Sequence, residues 1–225
     1  MGCGASHNAP TVDAKPVSVA AATAANTMAM TAPAPSAAPA SDAPLGLMMA
    51  LDAAAASMDI TDCWDAARAD DVDKLRAAHA AGVDLTKLAG LHSATILHGA
   101  ASAGAEAAIS YLIGESILAV NVTDQVSQGT PLMSAAASHQ EAAARLLLSH
   151  GASVDATDLL QDTALHKAVK AGAADVATLL LAQGAEPEAP NEDGKSSLVL
   201  AQELLEEDEE LGRAMLQVFI AYQTS

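Results

Sequence analysis

Beyond about residue 60, apolar positions recur in short blocks at helical spacing, and the blocks themselves recur. Four of them align: ATILHGAASAG from Ala94, GTPLMSAAASH from Gly129, DTALHKAVKAG from Asp162 and KSSLVLAQELL from Lys195. Their leading hydroxyl residues, Thr95, Thr130, Thr163 and Ser196, stand 35, 33 and 33 residues apart. A second block recurs at matching distance, as YLIGESILAVN, LLLSHGASVDA and LLLAQGAEPEA, and an earlier copy, KLRAAHAAGVDL, follows CWDAARADD. Each pair of blocks predicts two short helices, and the longer interval of 35 predicts a longer connection around AVNVTDQVSQG.

The side chains within a unit fit that reading. A threonine ahead of the first helix can cap free backbone N–H groups, and Pro131 suits a first turn, where its missing donor costs nothing. The pairs Ala100–Ala101 and Ala135–Ala136 let neighbouring helices approach closely. Leu146, Leu147 and Leu148 supply the apolar face of a second helix, with Leu147 expected between repeats. Gly82, Gly151 and Gly184 fall just past the ends of second helices, where a left-handed residue terminates them. No unit can bury its own apolar face, so stacking must make the core.

The two ends read as caps. The first unit lacks the signature turn; Trp64 and Leu75 are expected to cover the inner repeats while Asp70, Asp71 and Asp73 face water. At the far end Leu211, Met215, Val218, Phe219 and Tyr222 recur at helical spacing and are expected to close the stack. The run EEDEE at 206–210 reads as a solvated helix start favoured by the helix dipole, because it lacks the spaced oxygens and glycine of a calcium loop.

These motifs resemble the ankyrin repeat family, whose unit has a period of 33 residues and the signature T-P-L-H-x-A. The resemblance covers roughly residues 60–222 and is strongest over 94–186. Met133 departs from the signature histidine, Ile96 and Ala164 depart from the proline, and the last unit reads SSLV. The resemblance implies an all-α solenoid of stacked helix pairs with short hairpin connections, about five units with caps, over residues 58–225. It implies a structural hydrogen-bonding role for His98 and His166. It also implies a partner surface along the inner helices and hairpin tips: Ser102 and Ala103, Ser134 and Ser138, Lys167 and Lys170, with Asp124, Leu159, Leu160 and Glu192 at the tips. Leu159 and Leu160 carry most weight, because adjacent leucines in a connection that should be polar read more naturally as a contact than as core.

Composition narrows the partner. The chain holds 28 acidic and 10 basic residues, a formal charge of −18, which argues against nucleic acid; with 2% aromatic residues it also lacks base-stacking platforms. A protein partner with basic residues around an apolar spot suits this surface. Much of the hydrophobic content is alanine, so the core must be thin, with helices packed backbone to backbone. Cys3 and Cys63 make no disulfide framework, which fits a reducing compartment. No segment is apolar enough to span a membrane, and neither a secretory signal nor a transit peptide is evident.

No catalytic motif, metal site or cofactor site is legible. The seven histidines show no zinc spacing, and there is no phosphate loop, nucleophile elbow or metal-protease helix. Cys63 has Asp62 and Asp65 nearby but no local base, and reads as a small buried apolar residue. The sequence therefore points to a non-catalytic interaction module or adaptor. The alternative is a regulatory subunit, or an enzyme with an unrecognised active site, which would need a concave site with perturbed titratable groups.

Residues 7–57 are rich in Ala, Pro, Ser and Thr and read as a disordered tether, with the stretch LMMALDAAAASM as its most helical part or a short membrane contact. The chain opens MGCGASHN, matching the N-myristoylation pattern at Gly2 and Ser6, with Cys3 beside it for palmitate. One myristoyl chain binds a membrane only marginally, on the order of 10⁴ M⁻¹, so a second signal is needed. Before Arg68 the only basic side chain is Lys15, so Cys3 is the candidate for that signal. This predicts membrane attachment through acyl chains, at the cytoplasmic face of a membrane, peripheral and lipid-anchored; otherwise the protein is cytoplasmic.

Overall fold

The computed structural model describes residues 60–87 and 94–224. These residues form ten helices in five pairs: α1 (Ile60–Arg68) with α2 (Val72–Ala80), α3 (Ile96–Ala103) with α4 (Glu106–Gly114), α5 (Pro131–Ala137) with α6 (Glu141–Ser149), α7 (Ala164–Ala171) with α8 (Ala174–Ala182), and α9 (Ser197–Glu207) with α10 (Glu209–Gln223). The first helices pack in one row, α1 on α3, α3 on α5, α5 on α7 and α7 on α9. The second helices pack in a parallel row from α2 through α10. The described residues form the all-α stack that the resemblance implied.

Small residues set the spacing between the rows. Ala100, Ala101, Ala135, Ala136, Ala143, Ala144 and Ala168 are buried, and large side chains enter singly, as Leu97, Leu132, Leu147 and Leu165. Leu147 is fully buried, as its place in the repeat required. Gly82, Gly151 and Gly184 have φ of +84°, +85° and +87°, and Ser116 takes the equivalent left-handed place after α4 with φ of +55°.

His98 and His166 are buried and join two tasks. In each, Nδ1 faces the preceding threonine, accepting the N–H of Thr95 at 3.3 Å and of Thr163 at 3.2 Å. Nε2 reaches the next repeat, at 3.0 Å from the Gly129 carbonyl and 3.2 Å from the Lys195 carbonyl. A carbonyl only accepts, so Nε2 carries the proton and the ring is neutral. Burial lowers the pKa of both imidazoles, outweighing the raising effect of those carbonyls. At Met133, Sδ stands 3.5 Å from the Thr130 N–H, where it can only accept weakly.

The longer connection falls between Gly114 and Pro131, as the interval of 35 indicated. Ser116 to Asp124 is one residue longer than Gly151 to Asp158, and Asp124 to Thr130 is one longer than Asp158 to Thr163.

The ends depart from expectation in detail. Trp64 lies against Gly99, and a Cβ there would meet the indole at 3.1 Å. Leu75, Met215 and Phe219 are buried, whereas Tyr222 is exposed and Leu211 and Val218 are half-buried. The acidic run 206–210 is not one helix start: Glu207 ends α9, and Asp208 interrupts the helix and caps α10 by accepting the N–H groups of Glu210 and Leu211, both at 3.1 Å. A turn this short brings α9 and α10 so close that a Cβ on Gly212 would lie 2.2 Å from the backbone of Leu205.

Candidate protein-binding site

Among the described residues, three hairpin tips lie between the second and fifth pairs, and each opens on a short polar side chain: Asp124, Asp158 or Asn191. Oδ1 of each accepts the N–H two residues ahead, from Val126 at 2.8 Å, Leu160 at 2.9 Å and Asp193 at 3.1 Å, an Asx turn. Each tip closes when the backbone N–H of the opening residue donates to the carbonyl of Gly129, Asp162 or Lys195, at 3.0, 3.1 and 2.9 Å. The residue before closure is left-handed in all three, with φ of +57° at Gln128, +56° at Gln161 and +73° at Gly194.

Neighbouring tips are bonded edge to edge. The Leu159 N–H donates to the Ser127 carbonyl at 2.9 Å, and the Glu192 N–H donates to the Leu160 carbonyl at 2.8 Å. These bonds fix the backbone of the middle tip on both sides. On it Leu159 and Leu160 are 62% and 54% exposed, and Val126 on the preceding tip is 54% exposed. Two adjacent tips thus present an apolar spot, and the third adds the exposed Glu192 and Asp193 beside it.

Beneath the leucines lies an ionic cluster. Asp162 is fully buried. Its carboxylate accepts from Lys170 Nζ at 2.6 Å, Lys167 Nζ at 2.9 Å and Asn191 Nδ2 at 3.0 Å, and Lys167 also pairs with Asp158 at 2.6 Å. Burial pushes the Asp162 pKa upward, but the hydrogen bonds from Lys170, Asn191 and Lys167 together outweigh it and hold the group at about 2. For Lys167, burial acts downward and the bonds to Asp158 and Asp162 raise the pKa beyond its ordinary value.

This geometry revises several expectations. Asp124 is buried, with its carboxylate turned into its own tip to accept from Val126, Ser127 and Gly129, so it shapes the tip and is not presented to a partner. Burial raises its pKa, and those bonds overcome the effect and lower it. Lys167 and Lys170 border the leucine tip but are engaged with Asp158 and Asp162. Ser134 on α5 and Ser138 at its C-terminal cap are half-buried one repeat earlier, as are Ser102, whose hydroxyl donates to the Gly99 carbonyl, and Ala103. Gly2 and Cys3 lie outside the described residues. Val126 was missed, although a short polar residue recurs five or six positions before each capping hydroxyl, at Asp124, Asp158 and Asn191, and marks the tips.

Among the described residues, no group of His, Cys, Asp and Glu could hold a metal ion, and no helix is long and apolar enough to cross a membrane. A family model for ankyrin repeats in three copies matches residues 64–158 and, overlapping it, 97–191, more than half of the chain. No curated protein matches it significantly.

Proposed function

The chain belongs to the ankyrin-repeat family, whose domains are non-catalytic protein-binding modules, and from that premise we propose that it captures a protein partner at the tips carrying Val126, Leu159 and Leu160. The observation behind this reading is the exposure of two adjacent leucines on a tip whose backbone is bonded on both sides. Glu192 and Asp193 next to them favour a partner with basic residues around an apolar spot, associating faster at low salt. Lys167 and Lys170 act mainly by stiffening the tip from beneath, and Ser134 and Ser138 offer a shallow neighbouring floor.

Attachment to a membrane is the second part of the proposal. With Met1 as initiator, Gly2 takes myristate and Cys3 palmitate, two chains giving the stable anchoring that one cannot. The protein is then a lipid-anchored adaptor at a cytoplasmic membrane face.

The test pairs Leu159→Asp with Leu160→Asp. Both side chains are exposed, so circular dichroism should show an unchanged fold, while affinity capture should lose the main partner and partner binding should weaken tenfold or more. A folded double variant that recovers the same partners at the same yield would remove the tips from the binding face. For the anchor, Gly2→Ala should release the protein from membranes; mass spectrometry finding an unacylated N-terminal glycine in cells would exclude it.

A further inference from the structure

Among the described residues, the outer face of the fifth helix pair is apolar and carries no covering element. Between α9 and α10 runs a groove of about 570 Å³ lined by Leu205, Leu216 and Ile220, with Glu206, Glu209, Arg213 and Gln217 along its sides. No residue of α7 or α8 lines it, so it opens away from the preceding repeats. Ile220 is 61% exposed. Every earlier pair has its corresponding side covered by the next pair.

Charge decides what fits there. The run Glu206, Glu207, Asp208, Glu209 and Glu210 is exposed at one end of the groove. Arg213 is paired with Glu209, and Asp208 serves as the α10 cap. Glu206, Glu207 and Glu210 have no ion pair among the described residues. A second copy would bring this acidic run, on a chain of net charge −18, against its like. A helix with an apolar stripe and lysines or arginines at one end would instead cover Leu205, Leu216 and Ile220 and neutralise the run.

We infer that the groove between α9 and α10 is a second docking site, separate from the tips, for a basic amphipathic helix of a partner protein.

The full chain is to be screened against a library of 20-residue amphipathic helices with a fixed leucine stripe and polar positions randomised over Lys, Glu and Gln. Enriched peptides should carry lysine clustered at one end. Their affinity should fall about tenfold or more in Ile220→Glu, as expected from losing a buried apolar anchor, and similarly in Glu206→Lys with Glu210→Lys, which keeps the apolar surface and guards against misfolding of the first variant. Leu159→Asp with Leu160→Asp should leave it unchanged. No enrichment, enrichment of acidic or neutral helices, or binding insensitive to the groove variants would overturn the inference. So would sedimentation showing a dimer of the chain that Ile220→Glu dissolves.

Discussion

The junction between the second and third helix pairs and the junction between the third and fourth differ in the side chain that faces the next repeat's carbonyl. At the first, His98 donates across to the Gly129 carbonyl. At the second, Met133 stands in the same place and has no N–H to give; the corresponding carbonyl, that of Asp162, receives only the N–H of Asp158 from its own tip. This second junction is held by the tip bond from Leu159 to Ser127, by the Glu186 N–H on Asp155 at 3.1 Å, and by apolar packing. Between the fourth and fifth pairs the imidazole returns as His166 and is joined by Asn191 on Asp162. Capping a helix and tying it to the next repeat are therefore separable tasks. An imidazole performs both, and a thioether performs a weak version of the first.

If the middle junction rests on packing, it should be most sensitive to lost volume. Leu147→Ala should cost about 2–5 kcal/mol, the usual range for truncating a buried leucine. Thermal or urea unfolding of the full chain measures it; an unchanged midpoint would mean that the second-helix row does not carry this junction.

Acid should act the other way round, on the junctions with imidazoles. His98 and His166 are held neutral by burial, so the unfolded chain binds their protons first. Their contribution is complete above about pH 6.5 and is lost as pH falls below it. Asp162, lowered from 3.8 to about 2, adds about 2 kcal/mol that persists above pH 4 and disappears as pH falls toward 2. Hydrogen exchange compared at pH 7 and pH 5 should show faster opening where His98 and His166 bridge, with little change at Met133. Uniform acceleration would erase the distinction.

The smallest effect is a gain. Met133→His restores a donor aimed at the Asp162 carbonyl and should stabilise the chain by about 1 kcal/mol, the net worth of one added hydrogen bond. Denaturant midpoints with an unchanged slope would register it. A loss of stability would show that the neighbouring packing has closed around the thioether.

The period, the buried Leu147, the roles of His98 and His166 and the terminating glycines were all legible in the sequence, because each follows from local spacing repeated at fixed distance. The tips were legible only in part. An aspartate in a connection looks like solvent-facing charge, and nothing local distinguishes Asp124, folded into its own turn, from Glu192, which faces water. The pairing of Lys167 and Lys170 with Asp162 spans a turn and a helix, at separations of five and eight that match no helical rule. The acidic run at 206–210 hid a break between two helices because Asp208 serves equally well inside a charged helix and as a cap.

The tip from Asp124 to Gly129 holds one residue more than the tip from Asp158 to Asp162, yet both keep the Asx turn, the left-handed penultimate residue and the closing bond. Length at this point is thus decoupled from the geometry of the helices on either side. For protein engineering, this makes the tip a natural graft position. Short foreign segments placed between Asp124 and Gly129 inherit a closed base, a defined direction and a neighbour bonded alongside, while the helix pairs below need no redesign.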